Sequence, residues 1–308
     1  LKIRSPRNRT LQVDEDEYRL FAVDILKISQ SVNINEIENR LAIGDFLSIA
    51  PFLPSEFADL IIADPPYNLN KTFGELRFKK QSIEDYTEYV LSWLVPLVRL
   101  LKPNGSMYIC SDWFTSTSIH LAASKLLEVQ NRITWEREKG RGALQNWKNV
   151  SEDIWFLTKG KGYKFNVNAV KLKKRVIAPY KIYGKPKGWE KSSDGNFRLT
   201  HPSNLWADIT VPYWSMPENT DHPTQKPEKL LAKLILASSN PNDMVFDPFI
   251  GSGTTAVVAQ KLNRRYFGID INETYLVWAL KRLSRALSDK SIQGYANGVF
   301  WERNSSLK

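Results

Sequence analysis

Four consecutive residues carry the most pointed chemistry in the chain: Asp64, Pro65, Pro66 and Tyr67, which follow directly on the apolar run at 57–63. A short run rich in Leu and Ile that halts at two prolines reads as a buried strand. Proline lacks the N–H a sheet ladder needs and pushes the residue before it out of the helical region. The tetrapeptide then sits at a strand's carboxyl end, the edge of an open α/β sheet where ligands bind. Such a corner offers two hydrogen-bond acceptors, the Asp64 carboxylate and the Pro65 carbonyl, beside an aromatic face. Aimed at both hydrogens of a planar exocyclic amine on a nucleobase, the acceptors would draw the nitrogen toward a pyramidal shape and free its lone pair. Tyr67 would give the base a surface to stack on. The plainer alternative is a strand terminator with a surface carboxylate and a packing tyrosine.

A second constellation lies far downstream. Asp247-Pro248-Phe249-Ile250-Gly251-Ser252-Gly253-Thr254-Thr255 follows a short apolar strand and opens a helix. Its glycines let a ligand approach the backbone, and the helix amino terminus favours a carboxylate or phosphate. The next strand ends at Asp270, an acid placed to bind ribose hydroxyls. The turn does not read G-x-G-x-x-G, and the chain has no G-x-x-x-x-G-K-[S/T] loop, which disfavours a dinucleotide and a nucleoside triphosphate. A nucleoside carrying a carboxylate remains, and S-adenosylmethionine satisfies that description. The alternative is a tight βα turn followed by an ordinary strand-end acid.

The elements that must hold these corners follow from periodicity. Strands are expected at 40–45, 57–63, 106–110, 132–135, 153–157, 244–247 and 265–270, with a turn at Lys102-Pro103-Asn104-Gly105. Helices are expected at 14–31, at 85–101 with a kink at Pro96, and at 116–129, 228–239, 256–262 and 272–287. Strands alternating with helices of this length imply an α/β fold, a doubly wound and mainly parallel sheet. Residues 1–13 read as a basic, poorly ordered arm and 68–82 as a basic loop over the first corner. From 160 to 220 the alternation stops, so this stretch reads as an insertion rather than sheet core.

Composition narrows the class. The chain has 308 residues, a formal net charge of +10, one cysteine and three histidines. Cys110 on its own excludes an internal disulfide, and His120, His201 and His222 lack ligand spacing, so no structural metal is expected. No apolar stretch is long enough to span a bilayer and the basic amino terminus lacks a secretory signal's apolar segment, so the expectation is a cytoplasmic protein without a membrane partner. Basic residues concentrate in the insertion, where Lys173, Lys174 and Arg175 are consecutive and Glu190 and Asp194 are the only acids between 159 and 198. That is a footprint for phosphates or, more plainly, a solvated charged face.

Together these motifs give the sequence a clear resemblance to the DNA amino-methyltransferases, in the group whose catalytic motif precedes the cofactor motif. DPPYN at 64–68 matches the catalytic motif, DPFIGSGTT at 247–255 the cofactor loop, GIDINETY at 268–275 the ribose-binding strand, and HPTQKP at 222–227 a further cofactor-contacting motif. The match covers roughly 40–287. It implies a Rossmann-like methyltransferase sheet with an inserted basic target-recognition region. The implied segments are an N-terminal arm and accessory helix (1–39), a catalytic half (40–159), target recognition (160–220), a cofactor half (221–290) and a C-terminal tail (291–308).

Carried onto this chain, the resemblance implies that Asp64, Pro65, Pro66 and Tyr67 surround an adenine flipped out of duplex DNA, whose N6 takes a methyl group from S-adenosylmethionine by direct transfer. Phe249, Gly251 and Gly253, with Asp247, Ser252 and Thr254 of the same turn, would line the cofactor pocket. Asp270 would hold the ribose, Thr224 and Lys226 would lie near the methionine end with His222, and Asp45 would reach the adenine. DNA contacts would come from Lys71, Arg77, Lys79, Lys80, Arg137 and Arg141 and from the Lys173–Lys174–Arg175 run. No covalent cysteine is needed. Cytosine N4 is the nearest rival substrate. RNA or protein-glutamine methylation is disfavoured by motif order, and a regulator with a vestigial cofactor fold is disfavoured by the intact motifs. A homodimer and a cognate restriction endonuclease stay open.

Overall fold

The computed structural model describes residues 5–73, 76–137, 144–177, 180–192 and 195–302. An eight-stranded sheet occupies the centre. Its strands are β1 (Arg40–Ile43), β2 (Ala58–Ala63), β3 (Leu101–Ser111), β4 (Glu128–Glu136), β5 (Ser151–Thr158), β6 (Leu205–Trp206), β7 (Met244–Asp247) and β8 (Arg265–Asp270). Their spatial order is β1-β8-β7-β2-β3-β5-β4-β6. β1, β8, β7, β2 and β3 run parallel, and β5 runs antiparallel to both its neighbours. The expected doubly wound, mainly parallel sheet is therefore present.

Both faces of the sheet are covered, as parallel strands require. Every residue of β2 is buried, and its side chains alternate between two cores. Leu60 and Ile62 face α4 (Glu228–Ser238), α5 (Thr254–Lys261) and α6 (Glu273–Ala286), whereas Ile61 and Ala63 face α2 (Ile83–Leu100) and α3 (Thr115–Ala123). The apolar stripe of α2, carrying Val90, Trp93, Leu94, Leu97 and Leu100, keeps one helix running through Pro96. Its packing outweighs the single hydrogen bond a proline removes. No helix among the described residues is long and apolar enough to cross a membrane.

The structure departs from the sequence reading in several places. The first helix, α1 (Glu15–Ala22), is closed at its start by reciprocal bonds between Asp14 and Glu17 and stops well short of residue 31. The chain then turns so that Leu26 can pair with Ala42 of β1. The described part of the amino-terminal arm is docked: Arg9 N–H donates to the Trp214 carbonyl, Leu11 N–H to that of Asn219, and Leu11 is buried. The supposed turn after Leu101 lies within β3, where the pairing jumps from Ala58–Leu101 to Leu60–Ser106 and leaves the intervening residues as a bulge. The basic loop holds a hairpin of Lys71–Phe73 with Leu76–Phe78.

Residues 160–220 form more structure than an irregular insertion. Leu172–Arg175, Glu190–Ser192 and Gly195–Thr200 belong to a separate five-stranded sheet, completed by Tyr295–Ala296 and Val299–Trp301 from the chain's end. The described part of the expected C-terminal tail is thus a structural partner of the insertion, with Phe300 opposite Leu172 and Trp301 opposite Lys173.

What positions the site is the pairing of β2 with β7. They are direct parallel neighbours, Val245 opposite Leu60 and Phe246 opposite Ile61. The Asp64 and Asp247 corners therefore leave the sheet side by side. The glycine corner is tightly built: Gly253 caps α5 at φ 82°, and a Cβ placed there would come within 2.3 Å of the Ala279 Cβ on α6. Asp247 faces inward, accepting from Phe249 N–H at 2.9 Å and from the Thr255 hydroxyl at 2.6 Å. Burial pushes its carboxyl up to about 7 against those two bonds, and the charges of Asp64 and Asp270 add to the rise.

Two outcomes follow. Gly253→Ala meets both the backbone strain and the contact with Ala279, and is expected to cost about 2–4 kcal/mol, read as a lower urea midpoint at unchanged m. Asp247 keeps its proton up to about pH 7 when folded, whereas the unfolded chain releases it near the ordinary 3.8. The folded state then binds more protons than the unfolded one, and its contribution to stability is lost as pH rises between those values. Asp247→Asn should flatten that part of a stability-versus-pH curve.

Candidate active site

The carboxyl ends of β1, β2, β7 and β8 open on one cavity of about 850 Å³. Asp64, Pro65, Pro66 and Tyr67 line one side, with Leu69 and Tyr89. Phe249, Gly251, Asp270, Ile271 and Tyr275 line the other, and Asp45, His222, Thr224 and Lys226 complete the wall. Two motifs far apart in the chain thus meet in a single crevice.

The catalytic side is a cluster of charges. Tyr86 donates its hydroxyl to the Pro66 carbonyl at 2.6 Å, which fixes the proline corner from α2. Asp64 Oδ2 accepts from Lys226 Nζ at 2.5 Å, and Asp64 Oδ1 lies 3.0 Å from the Tyr67 hydroxyl. That hydroxyl is also 3.1 Å from Glu152 Oε2, itself 3.4 Å from Lys226 Nζ. Arg137 pairs with the other oxygen of Glu152. The side chains of Lys226 and Glu152 are only 10% and 6% exposed. Burial works against the Lys226 ammonium, but Asp64 and Glu152 outweigh it and raise its pKa above the ordinary value. Burial, reinforced by those same carboxylates, pushes the Tyr67 phenol well above 10.0. The one thiol near this cluster, Cys110, is buried, and burial pushes it well above 9.0, so it offers no nucleophile.

Glu152 escaped the sequence reading. Lys226, expected near a cofactor's methionine end, lines the common cavity, and its ammonium lies on the carboxylate of the proline corner. Glu152 stands at the beginning of β5, and only the antiparallel course of that strand brings its amino end to the same edge as the carboxyl ends of its neighbours. The signal available in sequence was an acid pair, Glu152-Asp153, opening an otherwise apolar strand.

The opposite side suits a nucleoside. Asp270 is held by its own loop, Oδ2 accepting from Gly251 N–H and Oδ1 from Asn272 N–H, both at 2.8 Å. A carboxylate has about four acceptor positions, so capacity for hydroxyls remains. Burial raises its pKa against these bonds. Phe249 is braced edge-on by Trp93 at 5.6 Å and Phe46 at 6.4 Å. His222 meets Tyr275 edge-on at 4.5 Å, and a Cβ on Gly251 would lie 3.0 Å from His222 Nε2. Apolar walls, the carboxylates of Asp45, Asp270 and Glu273, and a side-chain-free approach at Gly251 fit S-adenosylmethionine, with its purine, its hydroxyls and its positive charges.

Other expected site residues divide. Asp45 lines the cavity while capping a short helix, its Oδ2 accepting from Ser48 N–H at 3.2 Å. Asp247, Ser252, Gly253 and Thr254 support the turn from behind: the Ser252 carbonyl and Thr254 hydroxyl accept from Arg282 at 2.8 and 2.9 Å. Among the expected DNA contacts, Arg137 is turned into the charge cluster, Lys80 lies 3.8 Å from the Phe114 ring centre, and Lys173 lies over Phe197 and Trp301. Lys79 and Arg175 are exposed and Lys174 is half-buried. Lys71 and Arg77 fall in the short hairpin, and Arg141 lies outside the described residues.

Comparisons with known proteins agree with this geometry. A family model described as a DNA methylase, of the N6/N4 methyltransferase type, matches residues 58–281. The DNA adenine methyltransferase YhdJ of Escherichia coli (strain K12) is 38% identical over 256 residues, spanning 79% of this chain and 82% of that protein. The Type II methyltransferase M.HpaI of Haemophilus parainfluenzae is 36% identical over 254 residues, spanning 80% of this chain and 74% of that one. The PvuII DNA methyltransferase (cytosine-N4-specific) shares the fold, with a TM-score of 0.58 at 18% identity over 85% of this chain and 94% of that one. A proline corner and a glycine corner meeting in one nucleoside-sized crevice, within a sequence matched over most of its length, place the chain in the N6/N4 DNA methylase family as an S-adenosylmethionine-dependent DNA methyltransferase.

Proposed function

We propose that the enzyme methylates N6 of adenine in duplex DNA, acting on a base turned out of the helix into the cavity beside Asp64. The observation that carries this reading is the direct adjacency of the proline corner and the Gly251 corner in one cavity. An aspartate at the head of the tetrapeptide and the likeness to a DNA adenine methyltransferase support adenine over cytosine.

Bound at Phe249, Gly251 and Asp270, the cofactor's sulfonium supplies a methyl group already activated for transfer. The chain's own residues then supply alignment. The Asp64 carboxylate and the Pro65 carbonyl accept the two hydrogens of the exocyclic amine, polarising it toward a nucleophile. Lys226 and the Tyr67 hydroxyl each engage one Asp64 oxygen and leave lone pairs for that task. Asp64 takes the proton the methylated amine gives up, and the ring of Tyr67 stacks on the base. Thr224 and His222 border the cofactor's amino-acid end. Residues 40–159 and 221–290 serve as catalytic and cofactor halves, with 1–39 accessory. Residues 160–220, backed by the strands after 290, recognise the target and place basic side chains on phosphates. The likeness to a Type II methyltransferase supports a cognate restriction endonuclease as a partner.

Mass spectrometry of nucleosides from DNA treated with the enzyme is expected to show N6-methyldeoxyadenosine; N4-methyldeoxycytidine in its place would overturn the base assignment. Asp64→Ala is expected to lower turnover by about 10²-fold or more, with cofactor affinity by calorimetry within about threefold of the parent. Undiminished turnover in that variant would remove the mechanism.

A further inference from the structure

The connection from β4 to β5 leaves the sheet at the rim of the cleft and returns there. Its root is fastened: Arg137 N–H donates to the Val150 carbonyl, and the Arg137 guanidinium pairs with Glu152, which in turn meets Lys226 and the Tyr67 hydroxyl. From that root the described run Leu144-Gln145-Asn146-Trp147-Lys148-Asn149 is exposed along its whole length. Leu144 is 104% exposed and Trp147 96%. An indole standing in solvent presents a flat π-face on which a nucleobase can stack. The neighbours here are three amides and a lysine, with no acid between 144 and 150. Amides read base edges and a lysine meets phosphate. On a chain of net charge +10, the partner this surface fits is duplex DNA.

We propose that Trp147 enters the duplex at the target base pair and occupies the space left by the extruded adenine, stacking on the neighbouring bases. The proposal rests on the base-extrusion reading given above. Its energetics are balanced. Unstacking and unpairing a base has a cost, and stacking on an aromatic side chain returns a comparable amount. A single indole is therefore enough to decide whether the extruded state is well populated. The fastening of this connection to Glu152 sets Trp147 on a segment whose base touches the residues around Asp64, so entry into the helix and assembly of the acceptor corner are mechanically joined.

The test uses the full-length enzyme and a duplex carrying the site mapped by single-molecule sequencing of DNA from cells that express it. With 2-aminopurine at the target position, the parent enzyme should raise the fluorescence on binding, and Trp147→Ala should lose most of that rise. On the fully paired duplex, kcat/KM of Trp147→Ala should fall roughly tenfold or more, while Trp147→Phe keeps most of the activity. On a duplex with an abasic position opposite the target, where extrusion is cheap, Trp147→Ala should return to within about threefold of the parent. Parent-like fluorescence and kcat/KM in Trp147→Ala, or an equal loss on paired and unpaired duplexes, would overturn the proposal. Failure of the parent to methylate either duplex would instead strike the adenine reading itself.

Discussion

The structure depends on one pairing, that of β2 with β7. Neighbouring parallel strands present their carboxyl ends at the same edge, so two sharp turns built from unrelated residues become the lips of one crevice. Proline makes the first lip rigid and ends its strand. Glycine makes the second open, letting a ligand come up to backbone where a side chain would block it. Neither turn would be worth much on its own; adjacency gives a base and a methyl donor a common wall.

The floor of that crevice holds an unusual concentration of charge. Asp64, Glu152, Lys226 and Arg137 form an alternating set of carboxylates and cations, largely shielded from solvent, with the Tyr67 hydroxyl between the two acids. Burying such groups costs several kcal/mol per ion, and apolar replacements of equal volume are often as stable. Removing one partner would leave an uncompensated buried charge. The set holds both Asp64 oxygens, one against Lys226 and one beside the Tyr67 hydroxyl. It also reaches outward through Arg137 to the root of the β4–β5 connection.

Much of this was legible in the residues. DPPY after an apolar run locates a strand end, GSGTT before a helix locates a tight turn, and Asp270 locates the end of the next strand; Asp64, Gly251 and Asp270 all line the one cavity at the predicted edge. Short continuous apolar runs alternating with helical segments also located most strands of the central sheet. Misreadings occurred where local signals competed with packing. Lys102-Pro103-Asn104-Gly105 lies in a bulge rather than a turn, and the arm at 5–13 is held by backbone bonds to residues 214–219, far away in the chain.

By itself the sequence determined the local pieces, a proline-locked strand end carrying an acid and an aromatic, a glycine turn before a helix, and an acid at the next strand's end, because each follows from local backbone rules and side-chain type. Only the tertiary structure decided who stands next to whom. Glu152 enters the site because β5 runs against its neighbours, Lys226 meets Asp64 across a long separation, and the last strands of the chain complete the sheet of the basic region. Strand direction and long-range pairing leave no local trace, since they are settled by the burial of whole faces rather than by any short run of residues.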